Sequence, residues 1–198
     1  MNIKNCFYKV RNHLSARQDH CAKIVIGACC EAWLNAEAFV ALNWMDGKVT
    51  SLRHHVLLEH KKKDLTVKRK CGVISHIIEV KVLRGDLPPA KIKHERLLRL
   101  RSQIDAATSA TSRSGLIFAI WKSNDTPNRM KFFSTMRQLV REVFPKSHYA
   151  TLHDYYFEGI VRGASVSFNG NDYEVHLRAL YVTQRRHPSR SRHCGITV

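Results

Sequence analysis

The chain has 198 residues, 44% of them hydrophobic, and its 33 Lys and Arg stand against 16 Asp and Glu for a formal net charge of +17. That length suits one domain, or one with an appendage, and suffices to bury a core. The cationic excess argues for a polyanionic partner, nucleic acid before an acidic membrane surface, although basic charge also serves solubility alone.

Residues 7–20 carry only a weak, basic helical pattern. The stretch "ACCEAWLNAEAFVALNW" (28–44) is rich in Ala and Leu, with apolar residues at helical spacing, and predicts a helix that "MDGK" ends. Three strands are expected next, at about 51–60, 64–69 and 74–83, on short connections that favour antiparallel neighbours. "GDLPP" (85–89) is a break. A basic helix over about 91–108 follows, with Leu97, Leu100, Ile104 and Ala107 on its apolar side. Residues 112–115 read as a loop, and "LIFAIW" (116–121) as a strand buried on both faces. Thr126–Pro127 starts a helix that runs to about Phe144, before Pro145. Strands near 159–168 and 172–182 flank "NGN" as a hairpin, and the basic residues 183–198 are expected to form a mobile tail. No internal repeat is present. One helix layer on each face of a central mixed β-sheet buries this order of elements economically, so residues 1–182 read as a single α/β domain with a C-terminal β-hairpin.

The six cysteines, at 6, 21, 29, 30, 71 and 194, form no C-x-x-C pair and no zinc or disulfide framework. Free thiols and a cytoplasmic location are the expectation. "IGAC" (26–29) has too short an apolar run before it for a lipoprotein signal, and Glu31 and Glu37 interrupt the best candidate for a membrane span, so no membrane partner is expected. His54, His55, His60 and His76 lack companion cysteines, and alternating strand faces split the adjacent pair, so no zinc site is expected.

The run "HIIEVKVLRG" (76–85) sets two charges into an apolar strand. Glu79 and Lys81 share one face, while His76, Ile78, Val80 and Val82 share the other. Alone, the pair is an ordinary solvated strand face. "DLTV" opens the preceding strand, however, and an antiparallel partner would bring Asp64 beside Glu79. Two carboxylates so close repel unless a cation sits between them, and oxygen-only ligation suits Mg²⁺.

Asp64 in "KKDLTV" and Glu79-Val80-Lys81 in "IIEVK" resemble the PD-(D/E)XK motif of the restriction-endonuclease-like nucleases, with Lys63 where the proline stands. The resemblance implies a core of helix, three strands, helix and strand over about 28–121. It also implies Mg²⁺ (or Mn²⁺) held by Asp64, Glu79 and the Val80 carbonyl, with Lys81 orienting or activating the attacking water. A first-helix glutamate joins the metal site in several members. Glu37 is the first choice and Glu31 the second, the alternative for Glu37 being a hydrogen-bonded core residue. Gln103, on the following helix, stands where members place a polar residue, unless it is an ordinary surface glutamine. Glu59 either reaches the same centre or pairs with Lys61 or Lys62.

Phosphate contacts are expected from Lys61, Lys62, Lys63, Lys68, Arg69, Lys70 and the helix residues Lys93, Arg96, Arg99 and Arg101. The expected function is Mg²⁺-dependent phosphodiester hydrolysis, in DNA before RNA, with a homodimer or protein partner compatible. The alternatives are a non-catalytic nucleic-acid- or partner-binding protein that keeps the fold, and a subunit of a larger DNA-processing or defence complex.

Overall fold

The computed structural model describes residues 3–27, 30–45, 48–49, 54–58, 64–85, 90–108, 110–123 and 126–185. Three helices come first: α1 (Ile3–Ser15), α2 (Gln18–Gly27) and α3 (Cys30–Asn43). Two short strands, β1 (Trp44–Met45) and β2 (Lys48–Val49), pair with each other. There follow β3 (His54–Leu58), β4 (Leu65–Arg69), β5 (Ile74–Arg84), α4 (Ala90–Asp105), β6 (Ser112–Lys122) and α5 (Thr126–Val143). The chain closes with β7 (Tyr149–Thr151), β8 (Glu158–Phe168) and β9 (Asn171–Gln184).

Among the described residues, seven strands form one mixed sheet in the order β3-β4-β5-β6-β9-β7, with β8 also paired to β9. The β5–β6 pair is parallel, joined by a crossover through α4, and the other pairs are antiparallel. Side-chain alternation sorts each strand between two apolar layers. Ile78, Val80 and Val82 of β5 pack with Phe118 and Ile120 of β6 against α1–α3. Leu83, Ile117 and Ala119 point the other way, beneath Leu97, Leu100 and Ile104 of α4 and Met136 and Val140 of α5. The continuous apolar run of β6 is thus buried on both sides. No helix among the described residues is long and apolar enough to cross a membrane.

The structure departs from the sequence expectation at several elements, among them the short β1–β2 pair where the sequence predicts a helix end and a turn. The weak pattern near 7–20 is two helices, whose apolar positions Phe7, Val10 and Leu14, then Cys21, Ala22 and Val25, each form their own stripe. A short turn separates the stripes, so neither extends across 7–20. Burial pushes the Cys6 and Cys21 thiols up to about 11, as for inert core cysteines. Residues 112–115 belong to β6, because they pair with β5, and Ser114 and Gly115 are buried on opposite faces of the sheet, Gly115 beneath α4, rather than looped out. β7 is three residues long, too short to show a period. β9 continues to Gln184, past the expected end at 182.

Two local features set the seating of the helices. At Gly115 an added Cβ would lie 2.8 Å from Leu100 Cδ2, 3.0 Å from Val182 Cγ1 and 3.2 Å from Ile104 Cδ1, so the missing side chain lets α4 close onto the sheet. Between β7 and β8, Asp154 (φ 44°) and Tyr155 (φ 64°) are consecutive left-handed residues. Such positions cost about 1–3 kcal/mol each and persist where surrounding contacts over-determine them. Here the Tyr155 N–H donates to Thr151 Oγ1 at 2.9 Å and its hydroxyl donates to the Phe144 carbonyl.

Candidate active site

β4 and β5 part company where the charged residues stand. The last paired residues are Leu65 and Ile78, so the next step of the register sets Asp64 opposite Glu79 on one face. β5 runs on to Arg84, and side chains take over its outer edge from the strand ladder. The Val80 N–H donates to Asp64 Oδ2 at 2.7 Å, and the Val82 carbonyl accepts from Arg96 Nη1 at 3.1 Å. Both are charge-assisted substitutes for the backbone partners a buried strand requires. A residue's N–H and C=O lie on the same strand edge, so the Val80 carbonyl is directed toward the Asp64 side as well.

Glu79 and Lys81 lie on the α4 face of the sheet, with Leu83. Glu79 is only 1% exposed. Its Oε2 accepts from Gln103 Nε2 at 3.3 Å, and its Oε1 lies 3.9 Å from Arg113 Nη1, which donates to the Gln103 carbonyl at 3.2 Å. Both contacts help to offset the desolvation of a carboxylate this deeply buried. Lys81 Nζ donates to Glu31 Oε1 at 3.1 Å, and Glu31 Oε2 lies 4.0 Å from Arg96 Nη1. Glu31, Lys81, Arg96, Arg99, Ser102 and Gln103 line an open cleft of about 500 Å³.

The predicted residues therefore fall into groups. Asp64, Glu79, Val80, Lys81 and Gln103 stand at one junction of the sheet: Asp64 accepts from the Val80 N–H, Gln103 donates to Glu79, and Lys81 follows on the same strand face as Glu79. Glu37 does not join it: Glu37 Oε2 lies 2.6 Å from His13 Nε2 and 4.0 Å from Arg17 Nη1, and Oε1 accepts from Trp33 Nε1 at 3.2 Å. The α3 glutamate that reaches Lys81 is Glu31, the second choice from the sequence. Arg96 and Arg99 line the cleft, and Lys93 is half-buried at the start of the same helix. Arg101 is occupied elsewhere, donating to Tyr149 Oη at 3.2 Å and to the Val143 carbonyl at 3.3 Å. Lys68, Arg69 and Lys70 sit at the end of β4 opposite to Asp64. His76 is a core residue whose Nε2 lies 2.7 Å from Ser114 Oγ. Lys61, Lys62, Lys63, Glu59, His60 and the tail beyond 185 lie outside the described residues.

Arg113 was not anticipated from the sequence. It stands two residues before Gly115 on the α4 face of β6, and only the parallel register, which sets Glu79 opposite Gly115, brings it near Glu79. Among the described residues, no group of three or more His, Cys, Asp and Glu converges as a metal nest. The donors that do gather are all hard oxygens: the Asp64 and Glu79 carboxylates, the Val80 carbonyl, and Gln103 Oε1, which is buried and accepts no hydrogen bond among the described residues. That chemistry fits Mg²⁺, which needs only one or two carboxylates and keeps several waters.

In comparisons with family models, curated proteins and solved structures, nothing matches the chain.

Proposed function

We propose that this protein is a Mg²⁺- or Mn²⁺-dependent nuclease with a restriction-endonuclease-like core, acting on DNA before RNA. The observation that carries the reading is the junction of β4 and β5, where the Asp64 carboxylate caps the Val80 N–H at 2.7 Å and Glu79 and Lys81 share the adjoining face. Asp64, Glu79 and the Val80 carbonyl would hold the ion, with Gln103 Oε1 a further oxygen beside them. When bound, the ion lowers the pKa of water and offsets charge on the phosphorane-like transition state.

The chain's own residues supply the rest. Glu31 fixes the Lys81 ammonium, which serves as a hydrogen-bond donor and a positive charge for the attacked phosphate. Arg113 and Gln103 hold the Glu79 carboxylate in place. Arg96 and Arg99 line the same cleft and would contact neighbouring phosphates, positioning the strand without reading its sequence.

A second reading, a non-catalytic nucleic-acid- or partner-binding protein of the same fold, draws on the sparse donor set: no triad of metal-ligating side chains among the described residues. A panel of single- and double-stranded DNA and RNA, incubated with and without Mg²⁺ or Mn²⁺, separates the two. Metal-dependent cleavage of any member supports the nuclease. Binding without cleavage under every condition supports the second reading.

A further inference from the structure

A second cleft, of about 270 Å³, opens between α5, the turn after β7 and β9. Arg129 and Arg137 from α5 and Arg178 from β9 line it, and none of them lines the cleft at Lys81. β9 lies two strands from β5, so the strand spacing and register put the Arg178 backbone about 12 Å from that of Lys81.

The charge of this cleft is poorly compensated from within. Arg178 stacks on Phe133, its Cζ 4.2 Å from the ring centroid. Burial pushes its guanidinium below the ordinary value; Tyr156 opposes that shift, and Arg129 and Arg162 add to it. Arg137 donates to the Asp154 carbonyl at 3.3 Å, while its Nε is buried with no hydrogen-bond partner among the described residues. Glu174 is committed to Arg129 at 2.6 Å and to His176 at 2.8 Å. Guanidiniums gathered this way in a half-buried cleft are stabilised by an anion with several acceptor oxygens.

The rims of the cleft are apolar and exposed: Met130 is 68% accessible and Tyr156 54%. Tyr156 directly follows two left-handed residues, Asp154 and Tyr155; Tyr155 is buried and Tyr156 exposed. An exposed aromatic face beside Arg137 and Arg178, for which no ion pair is present among the described residues, matches an unstacked base with its phosphate. A duplex hides those base faces.

We infer that this cleft binds one nucleotide of a single nucleic-acid strand, its phosphate on Arg137 and Arg178 and its base against Tyr156. The site is separate from the Glu79 cleft and stands whether or not that cleft cuts.

Fluorescence anisotropy with a dye-labelled oligo-dT strand and a duplex of equal length, titrated in EDTA over a salt series, tests it. Tyr156→Ala should weaken oligo-dT binding by about fivefold or more, from the loss of one stacking contact. It should leave the salt slope and the duplex affinity unchanged, and Tyr156→Phe should bind as wild type. Arg178→Gln should reduce the salt slope for oligo-dT by about 0.7, one single-strand phosphate contact. Tyr156 is solvent-exposed, so its variants decide the matter even if Arg178→Gln loses its packing on Phe133. The inference is overturned if Tyr156→Ala binds oligo-dT as tightly as wild type or loses single strand and duplex equally. Competition by poly-glutamate as effective as that by oligo-dT would overturn it too, and would mark an acidic polypeptide site.

Discussion

Gly115→Ala should lower the stability of the whole domain, although it adds only one methyl group. The new Cβ would meet Leu100 Cδ2 at 2.8 Å, Val182 Cγ1 at 3.0 Å and Ile104 Cδ1 at 3.2 Å, well inside ordinary carbon contact distances of about 3.5–4.0 Å. Leu100, Ile104 and Val182 are fully buried in one apolar layer, so none has open space to move into. Overpacking of this kind costs about 1–3 kcal/mol, and removing a strand glycine returns about 0.5–1 kcal/mol. At mid-range the net loss is about 1 kcal/mol, which should lower the Tm by about 2–4 °C for a chain of this size. Thermal unfolding followed by circular dichroism measures it. Gly115 is also the register partner of Glu79, so the shift in α4 should loosen the Gln103–Glu79 contact. A Tm equal to or above that of wild type would refute the claim that α4 seats directly on Gly115.

Three further outcomes are expected. Glu37→Gln should cost about 1–3 kcal/mol in urea unfolding, since it weakens a half-buried network with His13 and Trp33, and should leave any metal-dependent cleavage intact, whereas Glu31→Gln should impair cleavage by freeing Lys81. Burial, then the hydrogen bond to Asp105, pushes the Tyr149 hydroxyl up from 10 to about 12. The unfolded chain therefore loses this proton first, and the contribution to stability is full below pH 10 and lost as pH rises to about 12. Urea midpoints between pH 9 and 12 should fall less steeply in Tyr149→Phe than in wild type. Finally, the net charge of +17 should make nucleic-acid binding fall steeply and linearly on a log–log salt plot; a flat plot would assign the charge to another purpose.

Much of the α/β architecture was legible because its signals are local. The uninterrupted apolar run of β6, the E-x-K alternation in β5 and the Thr-Pro start of α5 each announce an element through period or turn chemistry. The cluster of Asp64 with Glu79-Val80-Lys81 followed from two neighbouring strands and the period-two rule. Residues whose partners come from distant segments were not legible. Glu37 does need a cation or strong donors, as a carboxylate among apolar neighbours must, but a helix sequence does not reveal that α1 supplies them as His13 and Arg17. Glu31 and Arg113 reach the site only through packing between α3 and β5 and the parallel register of β6. The arginine cleft draws on α5, β9 and a strained turn, three elements remote in sequence and without a shared motif.

The central claim rests on Glu79 as a metal-holding carboxylate, and Glu79→Ala compared with wild type tests it most directly. Cleavage of DNA in Mg²⁺ or Mn²⁺ should fall by about two orders of magnitude or more in the variant, the loss expected when a metal supplies several kcal/mol to the transition state. DNA affinity measured without metal should hold or rise slightly, because the basic surface is intact and one negative charge has gone. Equal cleavage by Glu79→Ala would place the chemistry elsewhere, and a wild type that binds DNA but cuts nothing with either metal would contradict the nuclease account.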